Sequence, residues 1–63
     1  MEFIKVYMML DGYTKKLVDS IHRRRRVEQR HQLEQIKKNM KRLKIDDTYI
    51  EKFIEEIKVV CDF

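Results

Sequence analysis

Proline is absent from this 63-residue chain, and glycine and cysteine occur once each, as Gly12 and Cys61. Without those residues to punctuate it, the sequence lacks the turn signals that a β-sandwich or a succession of short strands needs. A single cysteine excludes an intrachain disulfide. The two histidines, His22 and His31, stand nine apart rather than at the three- or four-residue spacing that sets two metal ligands on one helical face. No glycine-rich loop is present to cradle a phosphate, and no nucleophile or carboxylate accompanies either histidine at a fixed spacing. Long apolar runs are missing too. Phe3 to Leu10 is apolar-rich, but Glu2 and Lys5 interrupt it, it falls far short of the roughly 20 residues that span a bilayer, and no small-residue cleavage site follows. The expectation is a soluble, intracellular, all-α protein without a membrane span, catalytic residues, cofactor or metal.

What is present is charge arranged with a period. Charged residues make up 41% of the chain and apolar residues 43%, and the apolar ones recur regularly, which favours ordered helices with solvated outer faces over disorder. Lys16, Arg23, Arg30, Lys37 and Lys44 follow one another at strict seven-residue spacing. On one continuous helix they drift only about 20° per step and form a basic stripe about 42 Å long, a side that must face water or an acidic partner.

The clearest boundary lies at Lys44-Ile45-Asp46-Asp47-Thr48. Asp46 suits an N-cap, with Ile45 and Ile50 at the positions of a hydrophobic staple; a cap at Thr48 completed by Glu51 is the alternative. Downstream, about 47–61, Ile50, Phe53, Ile54, Ile57, Val60 and Cys61 recur at helical spacing opposite Glu51, Lys52, Glu55, Glu56 and Lys58, which predicts an amphipathic second helix. Upstream, Leu33, Ile36, Met40 and Leu43 form one apolar series and Leu10, Tyr13, Leu17, Val18 and Ile21 another. Between them, from His22 to Gln32, Val27 is the sole aliphatic residue, yet no proline, glycine or cap marks a break. The spacing therefore predicts one long first helix over about 13–43 with a polar waist, a turn at 44–46, and a single helical hairpin. Residues 1–12 read as helix from near Phe3, with an extended arm as the alternative.

A second helix half as long as the first covers only Leu33 to Leu43 of its own chain. A domain this small buries only about 60% of the surface its unfolded chain exposes, so an uncovered apolar series calls for a second chain. An antiparallel homodimer, crossing near Val27 and forming a four-helix bundle, would bury it. The expected core and dimer contacts are Leu10, Tyr13, Leu17, Ile21, Leu33, Ile36, Met40, Leu43, Ile50, Phe53, Ile54 and Ile57. Met8, Met9 and Met40 read as core fillers, and Tyr7, Tyr13 and Tyr49 as boundary residues with wet hydroxyls.

Charge is uneven along the chain. Lys15 to Lys44 holds twelve Lys/Arg against Asp19, Glu28 and Glu34, net +9, whereas Ile45 onward sets two lysines against six acids, net −4. A basic helix beside an acidic one predicts Glu51, Glu55 and Glu56 near Lys37, Lys41 and Lys44, with individual exposed pairs worth about 0–1 kcal/mol. Arg23, Arg24, Arg25 and Arg26 escape that account. Four successive residues wrap about 300° of a helix, so at least one should point towards the dimer seam while the rest face solvent, where they could fork onto carboxylates or phosphates or serve only as a solvated waist that prevents wrong packing registers. Lys16, Arg23, Arg24, Arg25, Arg26 and Arg30 are the candidate partner-binding residues.

With the staple segment Ile45-Asp46-Asp47-Thr48-Tyr49-Ile50 and the run His22-Arg23-Arg24-Arg25-Arg26-Val27, the chain resembles the small helical-hairpin proteins of the Sulfolobus spindle-shaped viruses, the fuselloviruses. That resemblance implies a dimeric antiparallel four-helix bundle, an adaptor role in macromolecular assembly and, for a viral protein, the host cytoplasm. The bundle is similar in plan to the plasmid copy-control protein Rop, which binds paired RNA loops. Here the turn lies late and the helices are unequal, so RNA binding is not carried over. The favoured expectation is a non-enzymatic dimeric adaptor with protein partners. The alternative is a nucleic-acid-binding protein that uses the basic face and the arginine cluster.

Overall fold

The computed structural model describes residues 3–63, and all regular structure in them is helical. The first element, α1, spans Phe3–Met8, so the helical reading of 1–12 holds for those six residues only: Met9 to Asp11 leave the helix, and the first two residues lie outside the described ones. Asp11 then starts α2, Gly12–Ser20, by accepting a hydrogen bond from the Thr14 amide at 2.8 Å. This N-cap satisfies one of the unpaired amides of the first turn.

The long first helix expected over 13–43 does not form. After Ser20 the chain tightens into one 3₁₀ turn, Ile21–Arg23, runs extended through Arg24 (ψ 161°) and Arg25 (ψ 159°), and re-enters an α-helix, α3, at Arg26–Arg42. Local chemistry supports the break. The Ser20 hydroxyl donates to the Lys16 carbonyl at 3.0 Å, a back-bond that bends helices. The Ile21 carbonyl, which has no α-helical partner four residues on, accepts the 3₁₀ bond from the Arg24 amide at 3.0 Å and a second from Gln29 Nε2 at 3.1 Å. The bend turns α2 back against α3, and within its own chain the upstream apolar series has Leu10 and Ile21 buried, Leu17 and Val18 partly buried and Tyr13 exposed.

α3 ends at a left-handed residue, Lys44, with φ 64°. The Lys44 amide donates to Lys41 and the Ile45 amide to Met40, the two bonds of a Schellman motif, and the buried Ile45 and Met40 provide its apolar contact. The last element, α4, Asp47–Val60, starts as the N-cap reading at Asp46 requires: its side chain accepts from the Thr48 amide at 2.8 Å, and Ile45 and Ile50 are both buried. A second Schellman motif closes α4, with Asp62 at φ 63°, its amide donating to Val59 and the Phe63 amide to Lys58.

In space the helices run α2, α3, α4, α1: α3 packs against both α2 and α4, and α1 lies on α4. The largest dimension is 28 Å, too short for a rod of about 42 Å. Phe3 stacks on Phe53 with ring centroids 4.4 Å apart, and the Tyr7 hydroxyl donates to the Asp19 carboxylate at 2.9 Å, fastening α1 to α4 and to α2. Of the expected core, Leu10, Ile21, Leu33, Ile36, Met40, Ile50, Phe53 and Ile57 are buried, and Leu17 and Ile54 are partly buried. Tyr13, 59% exposed, and Leu43, 37% exposed, correct that expectation. The first turn of α2 directs Thr14 inward instead of Tyr13, and Leu43 sits at the end of α3 where the chain turns away. Val60 is exposed as well, while Val6, Ile45 and Cys61 join the core.

Candidate functional site

The bend between α2 and α3 puts the arginine run at a corner of the molecule. Arg23 closes the 3₁₀ turn, Arg24 and Arg25 lie on extended backbone, and Arg26 opens α3; all four are exposed. Because Arg24 and Arg25 leave the helix, no guanidinium is forced towards the core, as four successive helical positions would have required. None of the side-chain hydrogen bonds among the described residues engages Arg23, Arg24 or Arg25.

Arg26 is different. Its Nη1 donates to the Cys61 carbonyl at 3.2 Å, its Nη2 donates to the Asp62 carbonyl at 3.1 Å, and its guanidinium carbon lies 4.2 Å from the centre of the Phe63 ring. It caps the carbonyl end of α4 and stands apart from its three neighbours. Periodicity could not have found this contact, which joins residues 35 positions apart. The buried Cys61 beside it has its thiol pushed up by loss of water, partly opposed by the Arg26 charge.

The other expected partner-binding residues are dispersed. Lys16 is exposed on α2 and Arg30 on α3. The seven-residue stripe survives only as Arg30 and Lys37 on α3, because Lys16 and Arg23 precede the break and Lys44 is the left-handed cap. The expected pairing of basic and acidic helices is not seen as ion pairs among the described residues: Lys37 lines an open groove along α4 together with Glu51, Glu55, Glu56, Lys52 and Lys58, and Lys41 and Lys44 lie outside it. A second cleft, between α2 and α3, is lined by Tyr13, His31, Glu34, Lys38, Asn39 and Arg42. His22 and His31 are exposed on separate elements.

Sequence reasoning missed Gln29, which is 6% exposed and bonded to the Ile21 carbonyl across the bend. A signal was available, since Gln29 continues the Leu33, Ile36, Met40 series one turn upstream. Elsewhere the Asp11 carboxyl is held below its ordinary value by its bonds from Thr14, and the Tyr7 phenol is raised by its bond to Asp19.

Among the described residues no helix is long and apolar enough to cross a membrane, and no group of three His, Cys, Asp or Glu side chains is placed to hold a metal ion. No family model matches the chain, and no curated protein or solved structure matches it.

Proposed function

We propose that this chain is a non-enzymatic adaptor that docks an acidic protein surface on the corner formed by Arg23, Arg24 and Arg25, with Lys16 and Arg30 contributing long-range attraction. The observation that carries this reading is the exposure of three consecutive guanidiniums that no side-chain hydrogen bond among the described residues engages. Guanidinium forks match carboxylates bidentately, and a net charge of +4 steers anionic surfaces towards the corner. The alternative reading takes phosphates in place of carboxylates at the same forks, with the basic row that the bend divides between α2 and α3.

Homodimerisation belongs to the same proposal, with a changed basis. The upstream apolar series no longer requires a partner, but Ile4 and Met8 on the outer side of α1 are 74% and 65% exposed, and Val59 and Val60 of α4 are 75% and 70% exposed. A second copy would cover such side chains and present two arginine corners. The likeness to the fuselloviral hairpin proteins is part of the proposal too and would set this assembly in an infected host cell.

Titration against a glutamate-rich peptide and against duplex DNA separates the readings. The adaptor reading requires peptide binding that is lost when Arg23, Arg24 and Arg25 together become Gln, with helical circular dichroism unchanged because Gln keeps helix propensity. Submicromolar DNA binding at about 0.15 M salt, falling by about 0.9 log units per log unit of salt for each phosphate contacted, would replace it with the nucleic-acid reading. Light scattering over micromolar concentrations tests the dimer.

A further inference from the structure

One member of the arginine run is withheld from the docking corner. Arg26 adjoins the three free arginines in sequence, yet its guanidinium is spent on the Cys61 and Asp62 carbonyls, at 3.2 and 3.1 Å, and on the Phe63 ring, 4.2 Å away. Those acceptors are neutral carbonyls, and the ring is 46% exposed. The turn has its own main-chain bonds, Asp62 to Val59 at 3.2 Å and Phe63 to Lys58 at 2.9 Å, so it does not depend on Arg26 alone to keep its shape. A carboxylate is a stronger acceptor for a guanidinium than a carbonyl, because the bond is charge-assisted and can be bidentate.

We propose that the C-terminal turn, Cys61 to Phe63, is a latch that masks Arg26, and that an acidic peptide docking on Arg23, Arg24 and Arg25 draws Arg26 off the turn to complete a four-guanidinium site. This rests on the docking reading above. The coupling is reciprocal: weakening the latch tightens peptide binding, and bound peptide loosens the latch by the same factor. Cys61 reports on it, since the residue is buried, 7% exposed, while the turn is closed.

The test uses the full chain and a fluorescent octaglutamate peptide at low salt, with binding read by anisotropy and Cys61 exposure read by its rate of reaction with an aromatic disulfide. An exposed contact between Arg and an aromatic ring is worth about two- to five-fold in an equilibrium constant, so Phe63→Ala should tighten the peptide by up to that factor. Phe63→Leu, which keeps apolar cover without the ring face, should act in the same direction and guards against simple loss of packing. Adding Arg26→Gln to either variant should abolish the gain. Saturating peptide should speed the Cys61 reaction at least twofold in the wild type and leave it unchanged in Arg26→Gln. If the wild type binds peptide but both Phe63 variants bind it equally or more weakly, or if Cys61 reactivity does not respond, the latch is overturned and the docking reading stands. If neither the wild type nor the Phe63 variants bind peptide, both are overturned.

Discussion

Replacing Lys44 with glycine should stabilise the protein, although it removes a cation from the basic row. Lys44 adopts φ 64° at the end of α3, where its amide and that of Ile45 close the Schellman motif. An L-residue in the left-handed region costs roughly 1–2 kcal/mol, because Cβ crowds the following carbonyl. Glycine removes that cost but loses more conformational freedom on folding, an offset of roughly 0.5–1 kcal/mol. The Lys44 side chain is exposed, so little packing is lost with it. The net gain is about 0.5–1 kcal/mol, which for a domain of this size raises Tm by about 2–8 °C. Thermal melts followed by circular dichroism measure it, with Lys44→Ala as the control: alanine keeps Cβ and should give no such rise. Were the helix to run unbroken through position 44, glycine would lie inside it and cost roughly 1 kcal/mol. A fall in Tm for Lys44→Gly would therefore refute the turn, and Asp62→Gly at φ 63° provides an independent repeat at the end of α4.

Ile21→Ala should destabilise by about 2–5 kcal/mol in chemical denaturation, because Ile21 is 2% exposed inside the bend, while Val27→Ala, at 79% exposure, should stay within about 0.5 kcal/mol. A straight helix crossing its mate at Val27 would bring the two values together. Asp46→Ala should cost about 1 kcal/mol through loss of the α4 cap, whereas Thr48→Ala should change little, and the reverse order would favour the cap at Thr48. The depressed Asp11 carboxyl contributes stability that is fully present above the ordinary aspartate value of about 3.9 and is lost as pH falls through its lower value in the folded protein. Asp11→Asn caps equally well without titrating, so its Tm should vary less with pH below about 4 than that of the wild type.

α4 was legible because three independent signals agreed on it: the 3.6-residue period from Ile50 to Ile57, the Asp46 cap and the Ile45–Ile50 staple. The end of α3 was legible from its basic last turn, but its geometry was not, since lysine carries no preference for positive φ and only glycine or asparagine would have announced it. The break at Ile21–Arg25 was hidden for a related reason. Serine and arginine occur commonly in helices, so neither the Ser20 back-bond nor the donor that satisfies the freed Ile21 carbonyl, Gln29 eight residues away, was announced by a local pattern. The arginine corner was half legible. Its composition identified four arginines, but the removal of Arg26 depended on the C-terminal turn, which no local pattern connects to α3.

Hydrophobic periodicity cannot distinguish a long helix that needs a partner from two helices folded on each other, because both bury the same series on the same faces. The arginine run can. On a straight helix four successive guanidiniums cover about 300°, so at least one enters the seam and pays a desolvation penalty of several kcal/mol with only Asp19 or Glu28 near enough in sequence to pair with it. The bend avoids that penalty by placing Arg24 and Arg25 on extended backbone at the surface. Its cost is a few helical hydrogen bonds, each worth about 0.5–1.5 kcal/mol net, and the Arg24 amide and Gln29 side chain satisfy the Ile21 carbonyl there. Burial of Val6, Leu10 and Ile21 against the same chain contributes about 1.5–3 kcal/mol each and, unlike dimerisation, does not depend on concentration. Charge at the waist thus favours folding back, and the same step leaves three guanidiniums at a corner open to an acidic surface.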